Sequence, residues 1–266
     1  MSGPVDGTGP LRGRRVVVTR ARGQAGELAG LLRAAGAEVV ELPVIEIEPL
    51  DPPLPDLRAY TWLVLTSVNG VVALLDRMLP AAGLDGTALA GLRVAAIGPG
   101  TAGALGSRGV EVALLPERFV AESLLEAFPP PASPGERVLV VRAEEARAVL
   151  PEGLAAGGYR VDVLPVYRTV AGRPDPDAVE RVRRGEVDAI TFTSSSTVRH
   201  FHDLIGDLPE PAPFVASIGP VTSRTAGELG FTVDAEAGEH TLAGLVAALV
   251  AGLGGAVDRG RERPRR

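Results

Sequence analysis

The 266-residue chain contains no cysteine and no lysine. Without cysteine there are no disulfide bonds, no thiolate catalysis, and no zinc or iron–sulfur sites that use thiolate ligands. Without lysine every basic residue is arginine, which excludes Schiff-base chemistry and a phosphate-binding loop built around a lysine. Two large classes of enzyme mechanism are therefore excluded before any motif is considered.

Histidines and long apolar runs are also scarce. The three histidines are His200, His202 and His240; the first two lie two positions apart on a predicted helix and so face different directions, and we predict no metal site. Apolar runs such as Trp62–Leu65 are far shorter than the roughly 20 residues that cross a bilayer. No apolar stretch typical of a secretory signal precedes the first arginines. We therefore expect a cytoplasmic protein that does not bind membranes.

Acidic residues outnumber basic ones, 33 to 27, which gives a formal net charge of −6 at pH 7. This charge argues against a protein that binds nucleic acid or other polyanions in general. We interpret the basic residues at 259–266 as a solvated end. An anionic ligand would have to be bound by local groups.

The chain contains an internal duplication. Residues 93–112 recur without a gap as residues 214–233, an offset of 121 (214 − 93). A second block, starting at Arg15, matches the block at Arg137, and a third aligns Trp62 with Ala189. Because the three blocks recur in one order with nearly constant spacing, we predict two copies of one domain and a ligand-binding cleft between them.

Each copy alternates apolar strands with amphipathic helices. In the first copy we predict strands at 16–19, 37–42, 62–66, 94–97 and 110–115, and helices at 24–35, 68–78 and 101–108, with Gly36 and Gly109 at helix ends. Strands that are apolar on both faces are typical of parallel sheets covered on both sides. We therefore predict an α/β fold of two similar, doubly wound parallel-sheet lobes.

The residues alone leave two arrangements of the lobes open. The loop at 129–134 would separate the copies if they follow each other in tandem. The matched segments from Leu42 to Val44 and from Leu164 to Val166 would be the crossing points if the chain exchanges lobes after each opening βα unit.

Small polar residues follow the predicted strands at the carboxyl edge of each sheet, where α/β proteins bind ligands. They offer hydroxyls, amides and arginines to an anion rather than an acid–base pair. In the first copy these candidates are Thr19, Arg20, Ser67, Asn69, Gly98, Pro99 and Thr101. In the second copy they are Arg142, Thr193, Ser194, Ser195, Ser196, Gly219, Pro220 and Thr222.

These motifs also have a structural interpretation. Serine, threonine and asparagine before a helix are common N-caps, each contributing about 1 kcal/mol, and proline is common at the first helical position. The duplication does not separate the two interpretations, because it copies caps as faithfully as binding sites. Arg20 points to function more directly, since an arginine directly after a buried strand lies at the ligand edge.

A glycine pattern after the strand at 94–97 resembles a dinucleotide fingerprint. Gly98, Gly100 and Gly103 match G-x-G-x-x-G, but the equivalents of the last two in the second copy are Val221 and Arg224. Pro99 also removes an amide donor from the loop. We therefore predict no nicotinamide cofactor.

The ordered set of motifs resembles the uroporphyrinogen-III synthase family. The motifs are VVVTR at 16–20, LTSVNGV at 65–71, AIGPGTAGAL at 96–105, VLPVYRT at 163–169, FTSSSTV at 192–198, SIGPVTSRTA at 217–226 and HTLAGL at 240–245. No single motif is specific, but their order and spacing are, and the match runs from about 16 to 251. The form LTSVNG departs from the more common FTS without losing a hydroxyl or an amide.

The resemblance implies an enzyme of tetrapyrrole biosynthesis. It would convert linear hydroxymethylbilane to uroporphyrinogen III, inverting ring D through a spiro-pyrrolenine and releasing water, without a cofactor. It also implies interleaved lobes, residues 1–43 with 171–266 and residues 44–170, joined by a two-stranded β linker. The protein would be a monomer in transient contact with the preceding enzyme of the pathway.

The resemblance also suggests roles for single residues. Tyr167 would assist departure of the substrate hydroxyl, and because it aligns with Ile45, only one copy carries the phenol. The hydroxyls that would anchor acetate and propionate arms are Ser67, Thr101, Ser194, Ser195 and Thr222, and Thr241 of HTLAGL joins the substrate-binding set. The alternative from another class is a two-lobed module that closes on a small anion without chemistry.

Overall fold

The computed structural model describes residues 9–254. Its strands are β1 (Arg15–Val18), β2 (Glu38–Glu41), β3 (Ile45–Pro49), β4 (Trp62–Leu65), β5 (Arg93–Ala96), β6 (Arg137–Ala143), β7 (Arg160–Ala171), β8 (Ala189–Phe192), β9 (Phe214–Ser217) and β10 (Ala235–Glu236). Its α-helices are α1 (Arg22–Ala34), α2 (Val68–Val71), α3 (Leu79–Ala81), α4 (Pro99–Gly106), α5 (Ala121–Ala127), α6 (Val149–Ala156), α7 (Pro176–Arg183), α8 (Ser195–Ile205), α9 (Pro220–Glu228) and α10 (Leu242–Leu253). A π-helix, Val72–Met78, connects α2 to α3.

The chain divides into two compact units. The first unit contains the chain up to Glu46 and the chain from Val170 onwards, and the second unit is Ile47–Thr169. The divisions fall inside β3 and β7, which are neighbours in one sheet. Leu50 N–H donates to Val166 O and Gly172 N–H donates to Val44 O, so these two strands run in opposite directions.

The first unit is built on a five-stranded sheet in the order β10-β9-β8-β1-β2, with every paired strand parallel. Val16 and Val18 are fully buried on one face, against Leu28 of α1 and Leu249 of α10. On β8, Phe192 packs edge-on against Phe201 of α8. The parallel α/β architecture predicted from the apolar strands is confirmed in this unit.

The second unit has a sheet in the order β3-β7-β6-β4-β5, in which β4, β5, β6 and β7 are parallel. Successive residues of β4 point to opposite faces, as the strand period requires. Leu63 and Leu65 belong to one apolar cluster, and Trp62 and Val64 belong to another. Both faces are therefore covered, as predicted for a doubly wound sheet.

Glycine is required where the chain leaves β7. A Cβ atom on Gly172 would lie 2.1 Å from the carbonyl oxygen of Pro43, closer than any side chain allows. At Gly36 the reason is conformational, because its φ of 92° lies in the left-handed region that ends α1 as predicted. Within residues 9–254, no helix is both long and apolar enough to cross a membrane.

The predicted strand at 110–115 is wrong. This segment makes only an isolated parallel bridge, from Leu114 to Ala95 beside β5. The N–H of Val110 instead donates to the carbonyl of Leu105, where it closes the end of α4. The hydrophobic pattern correctly indicates an apolar segment. It does not show that the backbone N–H of Val110 bonds to the end of α4 rather than to a neighbouring strand.

Candidate functional site

The carboxyl ends of four parallel strands meet at one edge of the sheet in the second unit. Ser67 follows β4, Gly98 lies just beyond β5, Arg142 is near the end of β6 and Tyr167 lies in the last part of β7. In the β6–β7 pairing, Arg142 lies opposite Pro165 and Ala143 lies opposite Tyr167, so the register shifts by one residue. Such bulges re-aim side chains and are frequent beside active sites.

Tyr167 and Ser67 form the centre of this edge. The phenol oxygen of Tyr167 lies 2.9 Å from Oγ of Ser67, and the Tyr167 side chain is buried. Burial raises the pKa of Tyr167, while hydrogen bonds with Ser67 and Asn69 oppose that rise. The phenol is therefore protonated at neutral pH, as a proton donor must be.

The same Ser67 oxygen accepts a hydrogen bond from Gly70 N–H at 3.1 Å, so Ser67 is also the N-cap of α2. Next to it, Gly98 caps α4 and Pro99 occupies the first helical position. Thr101, in the first turn of α4, is buried. A Cβ on Gly100 would meet Val68 at 3.8 Å, which shows that the starts of α2 and α4 are neighbours.

Arg142 and its duplicate Arg20 share an unusual property. Among the residues that the structure describes, three side-chain polar atoms are buried without a hydrogen-bond partner, and two of them are Nε of Arg20 and Nε of Arg142. Arg142 also donates through Nη1 to the carbonyl of Arg147 at 3.0 Å. Buried donors are normally satisfied, so the Nε–H groups of these two arginines remain available to a further acceptor.

In the first unit Arg20 follows β1, at the carboxyl edge of its own sheet. Desolvation lowers the pKa of Arg20, and the nearby Glu27 carboxylate partly opposes this. Thr19 is fully buried, and its hydroxyl donates to the carbonyl of Thr191 at 2.7 Å. The Thr19 hydroxyl thus links the end of β1 to β8, and its proton is donated within the sheet.

The serines after β8 have distinct positions. Ser194 is the N-cap of α8, where its side chain accepts from Thr197 N–H and the Thr197 side chain accepts from Ser194 N–H. Ser195 bonds through Oγ to Oγ1 of Thr225 on α9 at 2.7 Å. Thr193 and Ser196 are half-buried beside them.

The start of α9 repeats the start of α4. Gly219 is the N-cap, Pro220 is the first helical residue and Thr222 is buried in the first turn. Thr241 caps α10 by accepting from Gly244 N–H at 2.9 Å. The structure brings Gly219 close to His240, since a Cβ on Gly219 would lie 3.0 Å from the histidine ring.

One further element of the duplication was not predicted from the sequence. In the second unit the Phe119 side chain lies against Gly98, just as His240 lies against Gly219 in the first. Phe119 and His240 are separated by 121 residues (240 − 119), the same offset as the two glycines. Extending the repeat past residue 112 would have found this pair of rings beside the helix starts.

The candidate residues therefore form two groups, each at the carboxyl edge of its own sheet. The group in the second unit consists of Ser67, Asn69, Gly98, Pro99, Thr101, Arg142 and Tyr167. The group in the first unit consists of Thr19, Arg20, Thr193, Ser194, Ser195, Ser196, Gly219, Pro220, Thr222 and Thr241. Only the second unit has a buried phenol in its group.

Comparison with known proteins supports the family resemblance. Residues 26–247 match the family model described as uroporphyrinogen-III synthase HemD. The chain is 36% identical over 255 residues to the uroporphyrinogen-III synthase of Synechococcus elongatus, covering 90% of this chain and 96% of that one. It is 31% identical over 228 residues to that of Chlorobaculum parvum, covering 83% and 92%.

Solved structures show the same likeness. A mutant uroporphyrinogen III synthase from Thermus thermophilus superposes with a TM-score of 0.63 at 25% identity, over 90% of this chain and 98% of that chain. The synthetase from Helicobacter pylori, at 19% identity, has the same fold, with a TM-score of 0.62 over 90% and 99% of the two chains. The chain therefore belongs to the uroporphyrinogen-III synthase family.

Proposed function

We propose that the protein closes linear hydroxymethylbilane to uroporphyrinogen III, a cyclising hydro-lyase reaction that inverts ring D and releases water. Its membership of the family supports the reaction. The single structural observation that carries the proposal is the buried, protonated phenol of Tyr167, held by Ser67 and Asn69 at the carboxyl edge of a parallel sheet.

Tyr167 is proposed as the catalytic residue for departure of the hydroxyl. The electron-rich pyrrole expels the group as its C–O bond breaks, and the leaving oxygen takes a proton to become water. A phenol whose pKa burial has raised is a weak acid, but little acid strength is needed when the pyrrole supplies the electrons. The pyrrole loses its N–H proton, which balances the proton taken from the phenol, and the resulting azafulvene is the electrophile for ring closure.

The second task is to direct which carbon of ring D attacks. Attack by the substituted carbon forms a spiro-pyrrolenine, which fragments and closes again at the other carbon, so that ring D is inverted. Free in solution, the flexible chain closes at the unsubstituted carbon instead. The protein must therefore hold the substrate in one geometry, an effect of positioning rather than of acid strength.

We propose that the carboxylates of the substrate are bound by local donors, since the protein itself carries a net charge of −6. Arg20 and Arg142 each have a buried Nε hydrogen available as a donor. The starts of α4 and α9 add backbone amides and the hydroxyls of Thr101 and Thr222.

Hydroxyls that cap helices are proposed to complete the set. These are Ser67, Ser194 and Thr241, with Thr193, Ser195 and Ser196 beside them. Thr19 has a different proposed role, because its hydroxyl is bonded to Thr191: it fixes the strand end from which Arg20 projects. We expect the enzyme to act as a cytoplasmic monomer without a cofactor.

The test is to incubate the protein with hydroxymethylbilane, oxidise the products and separate the porphyrin isomers. We expect isomer III to replace the isomer I that forms spontaneously. A product that is isomer I alone would reject the proposal and favour an anion-binding module without chemistry.

A further inference from the structure

Arg77 lies on the π-helix Val72–Met78, which continues directly from α2. Its Nη2 donates to the backbone carbonyls of Leu50 at 2.5 Å and Val166 at 3.2 Å. Its Nη1 pairs with the carboxylate of Asp51. The guanidinium thus joins three acceptors through two nitrogens of one planar group, whereas an ammonium group has a single nitrogen.

Val166 is the residue at which the register of β7 shifts. Pro165 pairs with Arg142 and Tyr167 pairs with Ala143, so Val166 has no opposite residue on β6. Its carbonyl accepts from Leu50 N–H at 3.0 Å as well as from Arg77. A bulge leaves the ladder locally disrupted, so these two bonds fix the peptide group that joins Val166 to Tyr167.

The helical segment 68–78 therefore holds Tyr167 at two points. At its start, Ser67 bonds to the phenol oxygen, and near its end, Arg77 bonds to the carbonyl directly before Tyr167. The π-helix lies between the two contacts, and such segments are rare and frequently found at functional sites.

From this geometry we infer that Arg77 is a positioning residue for Tyr167. By holding the carbonyl of Val166, Arg77 places the phenol of Tyr167 against Ser67. The inference rests on the proposed function, because the phenol position matters to turnover only if Tyr167 assists the reaction. Arg77 itself belongs to neither group of candidate site residues.

The chain offers a matched control, Arg108, which follows α4 and bonds to Asp76 on the same π-helix. Arg108 bonds through Nε to Oδ1 of Asp76 at 2.7 Å, and through Nη1 to the carbonyl of Ala104 at 2.7 Å. Arg108 resembles Arg77 in two respects. Each side chain is less than about a third exposed, and each pairs with an aspartate. Its bonds run to α4 and the π-helix and to neither strand of the β3–β7 pair.

The experiment compares Arg77→Met, Arg108→Met, Tyr167→Phe and the double variant Arg77→Met/Tyr167→Phe, with hydroxymethylbilane as substrate. We expect Arg77→Met to lower kcat roughly tenfold to 100-fold while KM changes less than about twofold, the effect of a misplaced catalytic group. In the Tyr167→Phe background the same change should alter kcat by less than about twofold. Arg108→Met should keep kcat within about twofold of the wild type.

An equal loss of kcat from Arg77→Met in both backgrounds would overturn the inference, since it would show a role independent of the phenol. So would a loss no larger than that of Arg108→Met. If Arg77→Met loses its near-ultraviolet circular dichroism, Arg77→Lys, which keeps a charge beside Asp51, is judged by the same comparison in the two backgrounds. Failure of the proposed function would be recognised separately, because the wild type itself would then yield no isomer III.

Discussion

The Oγ atom of Ser67 lies 2.9 Å from the phenol oxygen of Tyr167 and also accepts the N–H of Gly70, at 3.1 Å. One hydroxyl therefore caps α2 and holds the candidate acid. In a sequence, a serine before a helix can be interpreted either as a cap or as a site residue. Under the proposed function Ser67 has both roles, because the start of α2 lies at the carboxyl edge of the sheet, where α/β proteins bind ligands.

Tyr167→Phe tests the phenol while keeping the ring in the core. We expect kcat to fall roughly 100-fold, near the lower end of what a positioned acid contributes, and the protein to lose only about 1 kcal/mol of stability with the hydrogen bond to Ser67. Steady-state kinetics and thermal denaturation measure the two quantities.

Tyr159→Phe is the matched control, because Tyr159 is also buried and its hydroxyl donates to the carbonyl of Pro129 at 3.0 Å, away from the carboxyl edge. It should cost about 1 kcal/mol of stability and leave kcat unchanged. Equal rates for the wild type and Tyr167→Phe would remove Tyr167 from the mechanism.

Two threonines on α9 separate binding from stability. Thr222 lies in the first turn at the candidate site, whereas Thr225 bonds to Ser195 and to the carbonyl of Val221. We expect Thr222→Val to raise KM several-fold with a small change in melting temperature. Thr225→Val should lower the free energy of unfolding by about 1 kcal/mol, because it removes the two hydrogen bonds of a buried hydroxyl, and should change KM little. The reverse pattern would show that Thr222 serves only the helix.

Arg20→Met should weaken substrate binding and preserve the fold. Removing a donor that meets a carboxylate costs roughly 1.5–3 kcal/mol, so KM should rise about tenfold or more. Because desolvation lowers the pKa of Arg20, its replacement also removes a charge that is costly to bury, and the melting temperature should hold or rise.

Arg22→Met is the control for this substitution, because Arg22 lies only two residues after Arg20 and its side chain is exposed. Its KM should stay within about twofold of the wild type. An unchanged KM in Arg20→Met at low ionic strength would argue that the buried guanidinium does not bind the substrate.

The stability of the protein should fall at alkaline pH. Burial raises the pKa of Tyr60, Tyr159 and Tyr167, so the folded state favours their protonated forms. Their contribution is complete below the ordinary tyrosine pKa of about 10 and is lost as the pH rises through the raised values of the folded state. Melting temperatures between pH 8 and 11 should decline above about pH 10, less steeply in Tyr167→Phe. A variant curve parallel to that of the wild type would show that Tyr167 is not desolvated.

Much of the fold could be predicted because its strands are buried on both faces. The apolar runs Trp62–Leu65 and Ala189–Phe192 coincide with β4 and β8 for this reason. The order of strands in each sheet could not be predicted, because local hydrophobicity does not identify long-range partners. The pairing of β1 with β8, in which Val16 lies opposite Ala189, is an example.

Candidate site residues that occur in both copies could be recognised from the sequence. Contacts that occur in only one copy could not. Arg20 and Arg142 are visible as a repeated pair, and the structure adds that both have a buried unpartnered Nε. The contact of Tyr167 with Ser67 lies beside a register shift between β6 and β7, and no periodicity in the sequence reveals either feature. Arg77 lacks a motif altogether, since its role arises from a π-helix and two backbone carbonyls.

The most direct test of the proposed synthase activity is the fraction of isomer III among the porphyrins formed from hydroxymethylbilane, measured as the protein concentration is increased. We expect this fraction to rise from the spontaneous background to nearly the whole product, and a matched concentration of Tyr167→Phe to give a much smaller rise in the same time. A fraction that stays at the background at every protein concentration would rule out the synthase activity.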